Sequence, residues 1–255
     1  MQRIRIWDLP TRVFHWALAL CVVGSFVTVK IGGNAMVWHG RIGVTVVGLL
    51  AFRLVWGFVG STYARFSQFV RGPRAIKDYI RGQWQGEGHN PLGALSVLAT
   101  LGTLLLLVAT GLFANDDIAF EGPLYALVGK EFSDRVAGIH RLIEPLTILL
   151  VLAHLGAIVY YVRFKKETLI MPMITGWKVM RSGIPGDGAD TAPALQGGRA
   201  RNALLAVADG ETALGGGALA FCFALAIALA AAYGASGAWI ASTQPTAAPA
   251  TAPSW

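Results

Sequence analysis

Four histidines, His15, His39, His140 and His154, fall inside or at the edge of long apolar runs. An ionisable side chain in such a run is costly to bury, and by default it marks function. Neutral imidazole is a good metal ligand, and its second ring nitrogen is free to be oriented by a nearby acceptor. His154 follows His140 by 14 residues, which in a helix is a rise of about 21 Å and a residual rotation of roughly 40°. The two therefore project from nearly one helical face at two depths. Side chains so arranged suit two metal centres stacked along a helix.

The elements that must carry them are membrane spans. The chain has 255 residues, 55% hydrophobic and only 14% charged, with a mean hydropathy of +0.55. Five stretches, near 13–31, 37–59, 93–114, 137–162 and 213–241, are long enough to cross a hydrocarbon core of about 30 Å as helices. None alternates with period two, so barrel strands are excluded. The expected fold is all-α and polytopic: a four-helix di-haem bundle plus a fifth, C-terminal transmembrane helix.

The net charge of +7 does not point to nucleic acid, because of where it sits. Fifteen of the 21 Lys and Arg fall before the first span, between the second and third, or between the fourth and fifth. Cations kept on the cytoplasmic side give a bacterial inner-membrane protein with its N-terminus inside and its C-terminus outside. The first span begins with basic residues but lacks a convincing cleavage site, so it reads as a retained helix. Cys21 and Cys222 lie within spans and form no disulfide framework, and no Cys-x-x-Cys-His motif offers covalent haem attachment.

With this topology the histidines sort by depth. His15 lies near the cytoplasmic face and His39 near the outer face; His140 starts near the outer face and His154 lies a further 21 Å or so inward. His39 can meet His140, and His15 can meet His154, each pair drawn from two helices as a haem in a bundle core requires. Two axial histidines leave iron no open position, which favours electron transfer. A lone histidine could simply bond a backbone carbonyl, but four at two matched depths strain that account. Zinc usually takes four ligands at one place. His89, in Gly88-His89-Asn90-Pro91, reads as a loop or cap residue.

Arg53, 14 residues after His39, reaches cytoplasmic depth on nearly the same face and is a candidate partner for an inner haem propionate. Arg41 and Arg141 neighbour the outer ligands and are candidates for the outer haem. Interfacial snorkelling is the blander account of all three. Glu144, one turn beyond His140, could relay a proton or orient a ligand, but a local contact with Arg141 is the blander reading.

Around this core, Asp8 and Pro10 suit the cap and first turn of the opening helix, and Trp7 and Trp16 suit an interfacial belt. Residues 73–83 read as a short surface helix or a basic loop, and Ile184 to Gln196 as a flexible linker. The fifth span is rich in Ala and Gly, so it can pack closely on its own bundle or on a partner. The tail from Gln244 reads as disordered. The domains are then 1–178 for the cytochrome, 179–211 for a cytoplasmic linker, 212–242 for the added helix and 243–255 for the tail.

The segments Trp7-Asp8-Leu9-Pro10-Thr11-Arg12-Val13-Phe14-His15-Trp16, Trp38-His39-Gly40-Arg41, Phe52-Arg53-Leu54-Val55-Trp56-Gly57, Ile139-His140-Arg141-Leu142 and Ala153-His154 carry a family resemblance. So do Ala64-Arg65-Phe66, Phe69-Val70-Arg71-Gly72-Pro73 and Gly88-His89-Asn90-Pro91. Over Trp7 to about Lys178 the sequence resembles the prokaryotic cytochrome b561 and hydrogenase b-type cytochrome family. The resemblance implies two non-covalent haems b with His15, His39, His140 and His154 as axial ligands. It also implies exchange of electrons with membrane quinone and an extracytoplasmic partner: a c-type cytochrome, a dehydrogenase or a hydrogenase-like protein. The fifth span departs from the four-helix pattern. Two other functions compete: an oxidoreductase meeting superoxide or another small molecule at the outer face, and a non-redox transporter or assembly subunit. Against the last, the spans lack chains of Asp and Glu and show no inverted repeat. A homo-oligomer is left open.

Overall fold

A computed structural model describes residues 2–70, 72–81, 83, 91–118, 120–180 and 216–243. His89, the linker 184–196, the tail from 244 and Arg71, Arg181, Arg199 and Arg201 lie outside the described residues.

Helix α1 (Leu9–Ile31) starts where the sequence supplies a stop for its first free N–H groups. Asp8 Oδ1 accepts from Thr11 N at 2.8 Å, and Pro10 occupies the first turn. Gly32, at φ +68°, ends it, and a tight turn returns the chain into α2 (Ala35–Val59). After a 3-10 turn (Thr62–Ala64) come two short helices, α3 (Phe66–Phe69) and α4 (Pro73–Ile80), then the third long helix, α5 (Pro91–Gly111). A loop with a second 3-10 turn (Tyr125–Leu127) leads to α6 (Lys130–Arg163). The chain continues through α7 (Ile170–Thr175), and residues 216–243 contain α8 (Ala218–Ala235) and α9 (Ala238–Thr243).

Five of these helices, α1, α2, α5, α6 and α8, are long and apolar enough to span a membrane. The expected five spans are all present, and the protein is an all-α, multi-pass membrane protein. The fifth span, read from the sequence as 213–241, is helical over Ala218–Ala235 and is followed by Gly237 at φ +67°, and α6 begins at Lys130 rather than near 137. Its 34 residues measure about 51 Å, so it projects beyond a hydrocarbon core of about 30 Å. The projecting turns are held by polar contacts rather than by apolar burial. Ser133 Oγ donates to the Phe113 carbonyl (2.7 Å), and Asn115 Nδ2 donates to Ser133 Oγ (2.6 Å) and Asp134 Oδ1 (2.9 Å).

Helix α2 is the centre of the bundle. It packs on α1, α5 and α8, while α6 packs closely on α5. In its most apolar window 39% of residues are buried, against 6% in α1 and in α6. The α2–α8 contact answers the question of what the fifth span packs on: its own bundle. A Cβ added at Gly48 would lie 3.2 Å from both the Ala228 carbonyl oxygen and Ala232 Cβ, so the two backbones meet through small residues. Nearer the other end of α2, Phe221 sets its ring edge-on to Phe52 and Trp56, which stack on each other at 5.7 Å.

A two-stranded antiparallel ribbon, β1 (Gln2–Arg5) with β2 (Trp177–Met180), adds a piece of sheet to the helical bundle. It ties the start of the chain to the segment after α6. The Ile6 N–H donates to the Gly176 carbonyl at 2.9 Å, Trp16 Nε1 to Met173 O at 3.3 Å and Arg12 Nη1 to Ile174 O. Gly176 sits at φ +89°, where a Cβ would come within 2.8 Å of the Trp7 carbonyl oxygen.

Candidate functional site

The fold brings the four histidines together in the two pairs that depth alone predicts. The rings of His39 on α2 and His140 on α6 have centres 6.3 Å apart at an interplanar angle of 88°. Those of His15 on α1 and His154 on α6 are 6.4 Å apart at 53°. An imidazole nitrogen lies about 2.0–2.1 Å from a bound metal and roughly 1.2 Å from its own ring centre, so rings on opposite sides of one ion are centred about 6.4 Å apart. A direct hydrogen bond of about 2.9 Å would draw the centres to roughly 5.2 Å. Both pairs therefore have the spacing of two ligands with one metal ion between them.

The His39–His140 pair is oriented by the backbone. His39 Nδ1 donates to the Ser25 carbonyl at 3.2 Å, and His140 Nδ1 to the Leu107 carbonyl at 2.9 Å, with Thr110 Oγ1 also 3.2 Å away. A ring that donates through Nδ1 turns Nε2 outward as an unprotonated acceptor, the tautomer that a ligand needs. Gly111 makes room for the His140 ring, since an added Cβ would lie 2.9 Å from His140 Cε1. A cavity of about 250 Å³ surrounds the pair, with walls from α1, α2, α5 and α6. Its lining is mostly Val, Leu, Phe, Gly and Ala, as a porphyrin face requires, with Arg141 and Glu144 among the few charged groups. Among the described residues Glu144 makes no ion pair with Arg141, contrary to the local contact read from the sequence.

The His15–His154 pair lies at the opposite, basic end, and its surroundings are organised by charge. His15 Nδ1 is buried with no hydrogen-bond partner, and so are Thr11 Oγ1, Arg12 Nε and Arg53 Nη1. Thr11 precedes His15 by one turn of α1. Arg53 is buried and stacks over Phe66 at 4.7 Å. Asp8 organises the corner: one oxygen caps α1 and the other accepts from Trp56 Nε1 at 2.9 Å. Buried polar atoms are nearly always paired, so a cluster of orphans in one place points to a polar group that belongs among them. A propionate carboxylate is such a group, and it suits the fork of an arginine.

The remaining candidate, Arg41, is exposed on the far side of its helix, with its guanidinium 4.9 Å over the Trp38 ring. Among the described residues no three His, Cys, Asp or Glu side chains gather where one metal ion could be held. That count fits centres with two protein ligands and disfavours a four-ligand zinc site. The sequence reading missed the Ser25 and Leu107 carbonyls and the Gly111 gap. Only Gly111 left a signal, as a glycine at the end of a span.

A family model described as prokaryotic cytochrome b561 matches residues 6–176. No curated protein and no solved structure matches the chain. The matched stretch takes in both histidine pairs and all four helices that wall the cavity; α8 lies outside it.

Proposed function

The chain belongs to the prokaryotic cytochrome b561 family, and from that premise we propose that it passes electrons across the bacterial inner membrane through two bis-histidine haems b. Membrane quinone or quinol is one redox partner in this reading, and an extracytoplasmic redox protein is the other. The basic end faces the cytoplasm, as the distribution of Lys and Arg favours. One observation carries the proposal: two pairs of imidazoles, each spaced for one iron, stacked along α6.

A haem held by two of these histidines would supply a one-electron couple with no open position for oxygen or substrate. The chain's own residues do the rest. His39 and His140 are aimed by the Ser25 and Leu107 carbonyls, so their Nε2 atoms require little reordering on binding. Thr11, Arg12 and Arg53 would receive a propionate at the basic end, and Arg141 would serve the cavity at the other. The apolar lining from α1, α2, α5 and α6 would exclude water around His39 and His140 and keep that centre in a low-dielectric setting.

The test is a reduced-minus-oxidised visible spectrum of the purified protein, with non-covalent haem extracted and counted per chain. Two low-spin haems b, reduced by a quinol, are expected. A protein without haem would overturn the central claim. Haems that exchange electrons with no quinone would overturn the assignment of the partner while leaving the centres intact.

A further inference from the structure

We propose that the loop between α5 and α6 is the docking surface for the extracytoplasmic redox partner. The partner that fits it is a soluble c-type cytochrome presenting an apolar patch ringed by cations. This inference deepens the electron-transfer reading and rests on it.

The loop folds back on itself as a closed hairpin. The Gly122 N–H donates to the Ala114 carbonyl at 2.8 Å, the Leu124 N–H to the Leu112 carbonyl at 2.9 Å and the Asp116 N–H to the Phe120 carbonyl at 3.1 Å. Asn115 and Glu121 pair across it. Side chains set the tip: Asn115 Oδ1 accepts from the Asp117 N–H at 3.0 Å, and Asp116 Oδ1 accepts from the Ile118 and Phe120 N–H groups at 2.9 and 2.8 Å. Asp117 turns the chain at φ +60°. Lys130 then bonds both Asp117 and Asp134, which ties the tip to the first turns of α6. A tip held at so many points meets a partner with little further ordering cost.

This tip displays an isoleucine to water. Ile118 is 90% exposed. Asp116 and Asp117 precede it, Glu121 follows on the returning strand, and Asp134 is joined to the tip through Lys130. Lys130 and Arg141, whose charge reaches Asp134, are the cations that face these four acids. The tip therefore keeps a negative excess in a chain whose net charge is +7. An apolar centre with a charged rim is the anatomy of a protein interface, and an acidic rim steers a basic partner and speeds encounter. Lipid is a poorer match. The hairpin is fastened to α6 at Ser133 and Asp134, about 10 Å beyond His140 along the helix, and carboxylates beside Ile118 would repel headgroup phosphates.

The same hairpin reaches the His39–His140 centre. Two residues after Ile118, Phe120 sets its ring edge-on to His39, with centres 6.4 Å apart at 80°. It also covers Gly40, where an added Cβ would lie 3.1 Å from Phe120 Cε2. A partner seated on Ile118 is thus joined to the centre through the hairpin tip and one aromatic ring. One electron crosses per encounter, from the reduced side to the oxidised one, with no bond made or broken and no proton moved.

The experiment uses the full-length protein, with its haems, in nanodiscs of zwitterionic lipid, and a strongly basic soluble c-type cytochrome as the probe. Titration calorimetry gives the affinity, and stopped-flow mixing after reduction by a quinol gives the transfer rate. Binding should weaken steeply with added salt. Ile118→Ser should weaken it about ten-fold, and Asp117→Asn with Glu121→Gln about five-fold at low salt. Haem content and reduction by the quinol should be unchanged in both variants. A cytochrome that does not bind the parent protein would overturn the proposal, and so would variants that bind it as tightly as the parent. Binding that depends on Ile118 and the acids but carries no electron would instead overturn the electron-transfer reading and leave the docking surface standing.

Discussion

The two histidine pairs share one helix, α6, which supplies one imidazole to each, and they have nearly equal spacing, yet the protein around them is built on different principles. At the His39–His140 end, order comes from the backbone: two carbonyls fix the imidazole rings, and Gly111 clears space for one of them. At the His15–His154 end no hydrogen bond fixes His15 Nδ1, and buried polar side chains surround the site instead. On the function proposed above, one site would be preorganised for the histidine ligands and the other for the charge of the cofactor's periphery. Hydrogen bonding of a ligand imidazole raises its basicity, which favours ferric iron. A buried guanidinium beside a haem favours the reduced, less positive state. Both effects act in the same direction, so the His15–His154 centre should have the higher reduction potential.

The largest effects come from breaking one pair and keeping the other. His39→Ala should halve the haem content and leave the higher-potential component, whereas His15→Ala should leave the lower. Haem extraction and a redox titration on each variant decide the matter. If either substitution removes both haems, the two sites are not independent, and the comparison fails.

Arg53→Met tests the charged site more finely. It removes a buried cation while preserving apolar volume, so the His15–His154 potential should fall. The shift is the difference between the cation's interaction with the oxidised and reduced centre, so the full worth of one charge-assisted hydrogen bond, about 1.5–3 kcal/mol, sets its upper bound on the order of 60–130 mV for a one-electron couple. The other centre should move little. Equal shifts at both haems would mean that Arg53 acts through the fold rather than on one propionate.

Gly111→Ala probes the preorganised site by crowding. The added methyl would lie within 2.9 Å of His140 Cε1, and overpacking of this kind costs about 1–3 kcal/mol. Haem at the His39–His140 end should be lost first on dilution or warming, while the His15–His154 component persists. A variant that retains both equally well would show that the His140 ring can shift without harm.

Much of this arrangement is legible in the sequence because its physics is local or periodic. Runs of apolar residues announce the spans, and the 14-residue interval on α6 sets the depth and the common face of His140 and His154. Asp8 and Pro10 mark the start of α1 by chemistry that acts within a single turn. What escapes is of another kind. The carbonyls of Ser25 and Leu107 belong to the backbone, and no residue letter encodes their direction. The β1–β2 ribbon joins two four-residue strands that flank the matched region, too short for alternation to signal them. The first turns of α6 are polar and extend past the bilayer, so a hydropathy reading starts the helix too late. The identity of Arg53 is visible in the chain, but its burial and its nearness to Asp8 depend on how α1 and α2 meet.

The smallest effect should come from α8, large as its contact with α2 is. Ending the chain after Met180 would preserve the β1–β2 ribbon and expose Phe52 and Trp56. In water that exposure would be severe, but lipid tails are as apolar as the side chains of α8, and membrane helices associate through packing rather than through the hydrophobic effect. Neither histidine pair draws a ligand or an orienting carbonyl from α8. We therefore propose that residues 1–178, with the remaining two of the strand, form a self-contained cytochrome, and that the shortened chain binds both haems with unchanged spectra. A modest drop in the temperature at which the His15–His154 component bleaches is expected, because Phe221 packs on the Phe52–Trp56 stack and Trp56 bonds Asp8. Thermal bleaching followed at two wavelengths measures it. Loss of both haems would make α8 part of the cofactor scaffold, whereas an effect confined to the basic end would trace it through Trp56 and Asp8.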